Sequence, residues 1–126
     1  MLNLLVVDDE PIIARGVSDM LAAQRADELI VWSAFSGQEA MEVMSRIKID
    51  ILLCDINMGD ISGLELQQIA ANRWPNIRVI FLTGHDEAQY VREALENEAS
   101  GYVLKSSGDE KLLQVIDNTI SHVLEE

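Results

Sequence analysis

Apolar residues along the chain fall into short continuous runs, separated by segments in which they recur every three or four positions. The runs of strand length lie at residues 2–7, 29–35, 51–54, 77–82 and 101–104. Several are rich in Val and Ile and nearly unbroken, the pattern of parallel strands covered on both faces. Between and after them, the spacing turns helical. Ile12, Ile13, Val17, Met20 and Leu21 recur at one-turn intervals behind Pro11, a residue suited to a first helical turn. Ser36 with Glu39, Ser62 with Glu65, and Ser107 with Glu110 each show the Ser-x-x-Glu spacing of a capping box. A fourth helix reads over about residues 87–96. The last reads over about residues 110–124, with Leu112, Leu113, Val115, Ile116 and Ile120 on its apolar side.

Five strands alternating with five helices predict an α/β domain built from β-α units around a parallel sheet. Right-handed crossovers make that sheet doubly wound. In such open sheets a site lies outside the carboxyl ends of the strands, where the strand order reverses. The residues at those ends therefore matter most. Asp8, Asp9 and Glu10 follow the first strand, Asp55 the third, Thr83 the fourth and Lys105 the fifth, whereas the second runs out in Phe35-Ser36-Gly37 with nothing ionisable. Each has an ordinary reading alone: an Asp in a turn or helix cap, a Thr closing a strand, a Lys reaching into water. Four strands sending such groups to one rim is the informative observation.

Composition bears on which partners suit that rim. The chain has 126 residues, enough for one domain with a real core, and 22 acidic against 9 basic residues give a formal charge of −13. That disfavours direct contact with a phosphate backbone or an anionic membrane, and suits a bound cation or a basic protein partner. The single cysteine, Cys54, excludes an internal disulfide and a cysteine-based zinc cage, and its place in an apolar run predicts a buried, inert thiol. No apolar run approaches the roughly 18 residues of a membrane span. The chain opens directly on strand-like sequence without a basic leader, so a cytoplasmic location is expected.

Carboxylates brought together need a counter-charge, or one of them must take up a proton. Oxygen donors without Cys or His nearby call for a hard divalent cation, Mg²⁺ or Mn²⁺. A carboxylate beside such a metal, flanked by a lysine and a hydroxyl, is equipped for phosphoryl chemistry. The cations neutralise phosphoryl oxygens, the threonine donates a hydrogen bond and one Asp attacks as nucleophile.

With these residues in view, the sequence resembles the receiver domain of bacterial two-component response regulators. The motifs that carry the resemblance are VVDDEP, CDINMGDISGLEL, FLTGHD and GYVLKS, in the family's order and roughly its spacing. The likeness covers essentially the whole chain, residues 1–126, and implies a CheY-like, flavodoxin-like fold with strand order 2-1-3-4-5. It implies that Asp55 accepts a phosphoryl group from a sensor histidine kinase. Asp9 and Asp55 would ligate Mg²⁺ with the backbone carbonyl of Asn57, Asp8 would hold metal-bound water, and Lys105 would pair with Asp55 and later with its phosphate. Thr83 and Tyr102 resemble the family's switch pair, a hydroxyl that moves toward the phosphate and a ring that changes rotamer.

There are departures. Gly59 and Ser106 stand where family members commonly have proline, which predicts a looser loop after Asp55 and puts the family's cis peptide after the lysine in doubt. Asn57 and His85 occupy positions that tune phosphoryl lifetime in the family. DEPIIARG and TGHDEAQYVREAL resemble receivers joined to AraC-type DNA-binding domains, while GYVLKSS resembles those with a LuxR-type helix-turn-helix. Any such output domain, and with it any contact with DNA, is expected beyond residue 126. Dimerisation through the last helices on phosphorylation is a further expectation. The competing readings are a Mg²⁺-dependent phosphohydrolase, a nucleotide- or flavin-binding domain and a degenerate receiver. The first would want a second Asp where Asn57 stands, the second a glycine-rich loop where the acids stand. The third is disfavoured by the intact acids, Thr83 and Lys105.

Overall fold

Successive side chains of the first strand, Leu2–Val7 (β1), point to opposite sides of a sheet, and both sides are apolar. The computed structural model describes residues 1–84 and 101–125. After β1 come α1 (Pro11–Gln24), β2 (Leu29–Ala34), α2 (Gly37–Arg46), β3 (Ile51–Cys54), α3 (Gly63–Arg73) and β4 (Arg78–Thr83). They are followed by β5 (Gly101–Leu104), a 3-10 turn (Lys105–Ser107) and α4 (Asp109–Glu125). The helix expected over residues 87–96, and His85, lie outside the described residues.

All strand pairs are parallel and the order is β2-β1-β3-β4-β5, as expected. The alternation along β1 divides the core in two. Leu5 and Val7 join Leu52, Phe81, Met44 of α2 and Leu66 of α3 on one face. Leu4 and Val6 join Leu53, Ile80, Leu21 of α1 and Ile116 of α4 on the other. Helices on both sides explain why the strands read as continuous apolar runs. The chain leaves β1 toward β2 and returns to β3 on the other flank, so the strand order reverses between β1 and β3.

At two of the three Ser-x-x-Glu sites the serine caps the helix. Ser36 Oγ accepts from the Glu39 amide at 3.0 Å, and Ser62 Oγ from the Glu65 amide at 3.1 Å. The Glu39 carboxylate reaches one residue further back than expected, accepting from the Phe35 amide at 3.2 Å, and β2 ends at Ala34. The third box gives way to a different start. Ser107 closes the 3-10 turn, Gly108 takes a positive φ of 86°, and α4 begins at Asp109. β4 starts one residue later than the apolar run, because the Ile77 amide closes a turn onto the Trp74 carbonyl at 3.0 Å, and it takes in Thr83. No cis peptide occurs among the described residues, so Lys105–Ser106 is trans.

Candidate functional site

Asp8 is the first residue past β1 and Asp55 the first past β3. Their amides continue the ladders by one step, Asp8 N–H donating to the Ala34 carbonyl at 3.2 Å and Asp55 N–H to Val7 at 3.1 Å. Val7 is in register with Cys54, so the two carboxylates leave adjacent strands at the same level. Asp8 Oδ1 accepts from the Glu10 amide at 2.9 Å, which turns the chain into α1. Asp55 Oδ1 accepts from the Asn57 amide at 3.4 Å and opens the β3–α3 loop in the same way. Both residues are buried, at 2% and 5% exposure.

Lys105, the first residue past β5, supplies the counter-charge. Its Nζ donates to Asp55 Oδ2 at 2.9 Å and stands 3.4 Å from Asp8 Oδ2. One ammonium therefore faces two buried carboxylates. Burial raises the pKa of Asp8 above its ordinary value, against the opposing Glu10 amide and Lys105, and the Asp55 charge adds to the rise. For Lys105, burial alone would lower the pKa. The hydrogen bond to Asp55 and the charges of Asp55 and Asp8 outweigh it, and the net shift is upward. Cys54 is buried as expected, and desolvation followed by the Asp55 charge pushes its thiol far up, so it stays protonated and inert.

The acids after β1 also form a group of their own. Asp8, Asp9 and Glu10 each place a carboxylate oxygen so that all lie within 4.8 Å of one another. Asp55, expected as a ligand of the same cation, is not in that group. Glu10 occupies the N-cap of α1 but makes no side-chain capping bond, so its carboxylate faces the other acids rather than the helix. Among the described residues Asp8 Oδ2 is buried without a hydrogen-bond partner, and the Lys105 ammonium stands 3.4 Å from it. A buried carboxylate oxygen without a donor, in a group of hard oxygen ligands within 4.8 Å of one another, fits a small divalent cation.

Thr83 ends β4 as expected and is fully buried, its hydroxyl donating to the Gly84 carbonyl at 3.2 Å. Tyr102 pairs in register with Phe81 and is 44% exposed. Thr83 is in register with Leu104, so Lys105 emerges beside the end of β4.

Two residues of this region carry no sequence signal of their own. Gly63 packs against the start of the β3–α3 loop: an added Cβ would fall 2.2 Å from the Asp55 carbonyl oxygen and 2.9 Å from Ile56 Cα. Its amide donates to Ile56 O at 2.7 Å. Asp60 reaches across to another helix, its two carboxylate oxygens accepting from the Gly37 and Gln38 amides of α2 at 3.1 and 2.9 Å. A glycine after a cap serine marks a helix start, and only the fold shows what it touches.

A doubly wound sheet with acids and a lysine converging at its switch point defines the class. The chain belongs to the response regulator receiver domain family, whose pattern matches residues 4–117. Among curated proteins it is 30% identical to the transcriptional regulatory protein DegU of Brevibacillus brevis, covering 91% of this chain and 48% of that protein. It is 33% identical to the nitrate/nitrite response regulator protein NarP of Escherichia coli, over 90% of this chain and 53% of that one. The chain thus spans about half the length of the curated relatives it matches. Among solved structures it resembles a response regulator receiver domain from Clostridium thermocellum, with a TM-score of 0.88, 27% identity and coverage of 97% and 96% of the two chains. The REC domain of AraT from Geobacillus stearothermophilus gives a TM-score of 0.87 at 29% identity, over 98% and 96%. No helix among the described residues is long and apolar enough to cross a membrane.

Proposed function

We propose that this receiver domain takes a phosphoryl group from a sensor histidine kinase onto Asp55 and passes the change to an output domain. The observation that carries the reading is the Lys105 ammonium held 2.9 Å from Asp55 and 3.4 Å from Asp8 at the switch point of the sheet. It gives the Asp55 carboxylate a counter-charge at the rim where a cation can reach it. An Asp55 oxygen attacks phosphorus, the P–O bond forms as the P–N bond to the kinase histidine breaks, and the imidazole leaves with its electron pair. Lys105 then has phosphoryl oxygens to neutralise in place of the bare carboxylate. Thr83, now donating to its neighbour's carbonyl, can turn its hydroxyl to the phosphate. Tyr102, half exposed on the adjacent strand, is the group that responds, so a local charge change reaches β5 and α4. Water then attacks phosphorus, the P–O bond to Asp55 breaks and inorganic phosphate leaves, which restores Asp55 and makes the chain a timed switch, with no other substrate turned over.

Asp8, Asp9 and Asp55, with the Asn57 carbonyl, are the groups that would hold Mg²⁺ or Mn²⁺, and Glu10 stands beside them. When bound, the cation supplies the charge that lets phosphoryl oxygens approach a cluster of acids. Residues 1–126 make one receiver unit, cytoplasmic, with phosphorylation favouring a homodimer. The relatives' names as transcriptional and response regulators support a transcriptional output, with DNA contacted only by a domain outside this chain.

The test is incubation with acetyl phosphate, with and without Mg²⁺, followed by intact-mass measurement. One alkali-labile phosphoryl group is expected, dependent on the metal and absent from Asp55→Asn. Label that persists in Asp55→Asn, or that forms equally in EDTA, would overturn the reading.

A further inference from the structure

The N-terminus of α2 is closed by two side chains, and one of them comes from a distant loop. Ser36 satisfies the Glu39 amide, while Asp60 takes those of Gly37 and Gln38, at 3.1 and 2.9 Å. Asp60 is thus engaged with its full charge against the positive end of the helix. Its carboxyl is held below the ordinary value by the Gln38 amide first, then by those of Ile61 and Gly37. The neighbouring residue adds a packing contact, since a Cβ on Gly37 would lie 3.0 Å from Ile61 Cβ. Asp60 and Ile61 therefore clasp the β3–α3 loop to α2.

That loop needs a clasp. At its near end the Asn57 amide is tied to Asp55 Oδ1, and at its far end the Gly63 amide is tied to Ile56 O. Between these ties stands Gly59, where a Cβ would meet one heavy atom within 4 Å, Asp9 Oδ2 at 4.0 Å. Gly59 has the widest backbone freedom and almost nothing packed on it. The segment from Asn57 to Gly59 is tied on one side to Asp55 and on the other, through Asp60, to α2.

We propose that Asp60 is a positioning residue for the cation site: by clasping α2 it holds Asn57 and Gly59 against the acids after β1, and so sets the Mg²⁺ affinity of the receiver. This rests on the reading of Asp8, Asp9, Asp55 and Asn57 as the cation's ligands. Asp60 itself touches neither the cation nor the phosphoryl group.

The experiment titrates Mg²⁺ into the unphosphorylated chain by calorimetry and follows amide hydrogen exchange of residues 57–61 in EDTA. It compares wild type, Asp60→Ala, and Asp60→Ala with Gly59→Pro, in which the proline ring supplies the lost restraint independently. Asp60→Ala is expected to weaken Mg²⁺ binding by about ten-fold and to speed exchange in the loop by a similar factor. With Mg²⁺ saturating, acetyl phosphate labelling of Asp55 should stay within about two-fold of wild type, because the reacting groups are intact. Adding Gly59→Pro should recover most of the affinity. Unchanged Mg²⁺ affinity in Asp60→Ala, or a loss that proline leaves in place, overturns the proposal while leaving the wild type's metal-dependent phosphorylation standing. A wild type that binds no Mg²⁺ overturns both.

Discussion

The Lys105 ammonium donates to Asp55 Oδ2 across 2.9 Å, bridging strands β5 and β3 over the end of β4 that lies between them. It is the described cation that faces Asp55 and Asp8 together, and both carboxylates are buried. Removing it leaves two like charges with little solvent to screen them. Lys105→Met should therefore destabilise the metal-free chain by about 1–3 kcal/mol at neutral pH, less than a wholly buried pair because the ammonium is partly exposed. Mg²⁺ can take over as counter-charge, so its stabilising effect should be larger in the variant than in wild type. Urea unfolding in EDTA and in 10 mM Mg²⁺ (a concentration of about that order suffices) measures both. Equal Mg²⁺ effects would show that Lys105 and the cation do not share these carboxylates.

Much of this arrangement is legible in the sequence because it depends on strand ends. An apolar run of strand length fixes where Asp8, Asp55, Thr83 and Lys105 emerge, and parallel pairing brings them to one edge. What stays hidden is contact between elements far apart along the chain. Asp60 reads as a loop acid, and nothing local says that its carboxylate meets α2. Gly63 follows a cap serine, and its intolerance of a Cβ comes from the Asp55 backbone folding back over it. Glu10 reads as a first-turn acid, yet in the fold it turns toward Asp8 and Asp9. Ser107 shows the reverse failure, a correct capping spacing displaced because the chain from Lys105 winds into a 3-10 turn first.

Asp9 separates metal binding from stability. Its side chain is exposed, yet its carboxylate lies within 4.8 Å of the ligand oxygens of Asp8 and Glu10. Asp9→Asn should leave metal-free stability within about 0.5 kcal/mol of wild type, as for an ordinary surface change. The Mg²⁺-induced gain in stability should shrink by about 1.4 kcal/mol for each ten-fold loss of affinity at saturating metal. Thermal unfolding at several Mg²⁺ concentrations gives both quantities. A variant that keeps the wild-type Mg²⁺ gain would remove Asp9 from the ligand set.

Gly63 joins the fold to the chemistry. With an added Cβ 2.2 Å from the Asp55 carbonyl oxygen, backbone on one side or the other has to move. Gly63→Ala is expected to cost about 2–4 kcal/mol, at the upper end for overpacking because the clash is with main chain. Displacing Asp55 from the line of Lys105 should also slow acetyl phosphate labelling by ten-fold or more, by the sensitivity of such reactions to about 1 Å of misplacement. Stability and labelling rate should fall together. A variant destabilised but labelled at the wild-type rate would mean that α3 gives way and Asp55 stays in place.

Far from this rim, Arg25 and Asp117 form a two-pronged pair, Nε to Oδ1 at 2.8 Å and Nη2 to Oδ2 at 2.9 Å, which pins α4 to the end of α1 beside a hollow of about 530 Å³. The hydrogen bond from Arg25 lowers the Asp117 pKa from its ordinary 3.8, against a smaller opposing effect of burial. An acid whose folded-state pKa is depressed contributes stability that is present above its unfolded value and is lost as pH falls through the folded one. The difference in stability between wild type and Asp117→Asn should thus be full from about one pH unit above the unfolded value of 3.8 upward, and should vanish as pH falls through the folded value, which lies below 3.8. Because the pair is partly exposed, the difference should be small, about 1–3 °C in Tm, and should shrink further in high salt. Phosphorylation of Asp55 should be unaffected in this variant. Paired melting curves at stepped pH check the sign, and a gap that widens toward acid would contradict the assignment of the ion pair as the source of the stabilisation.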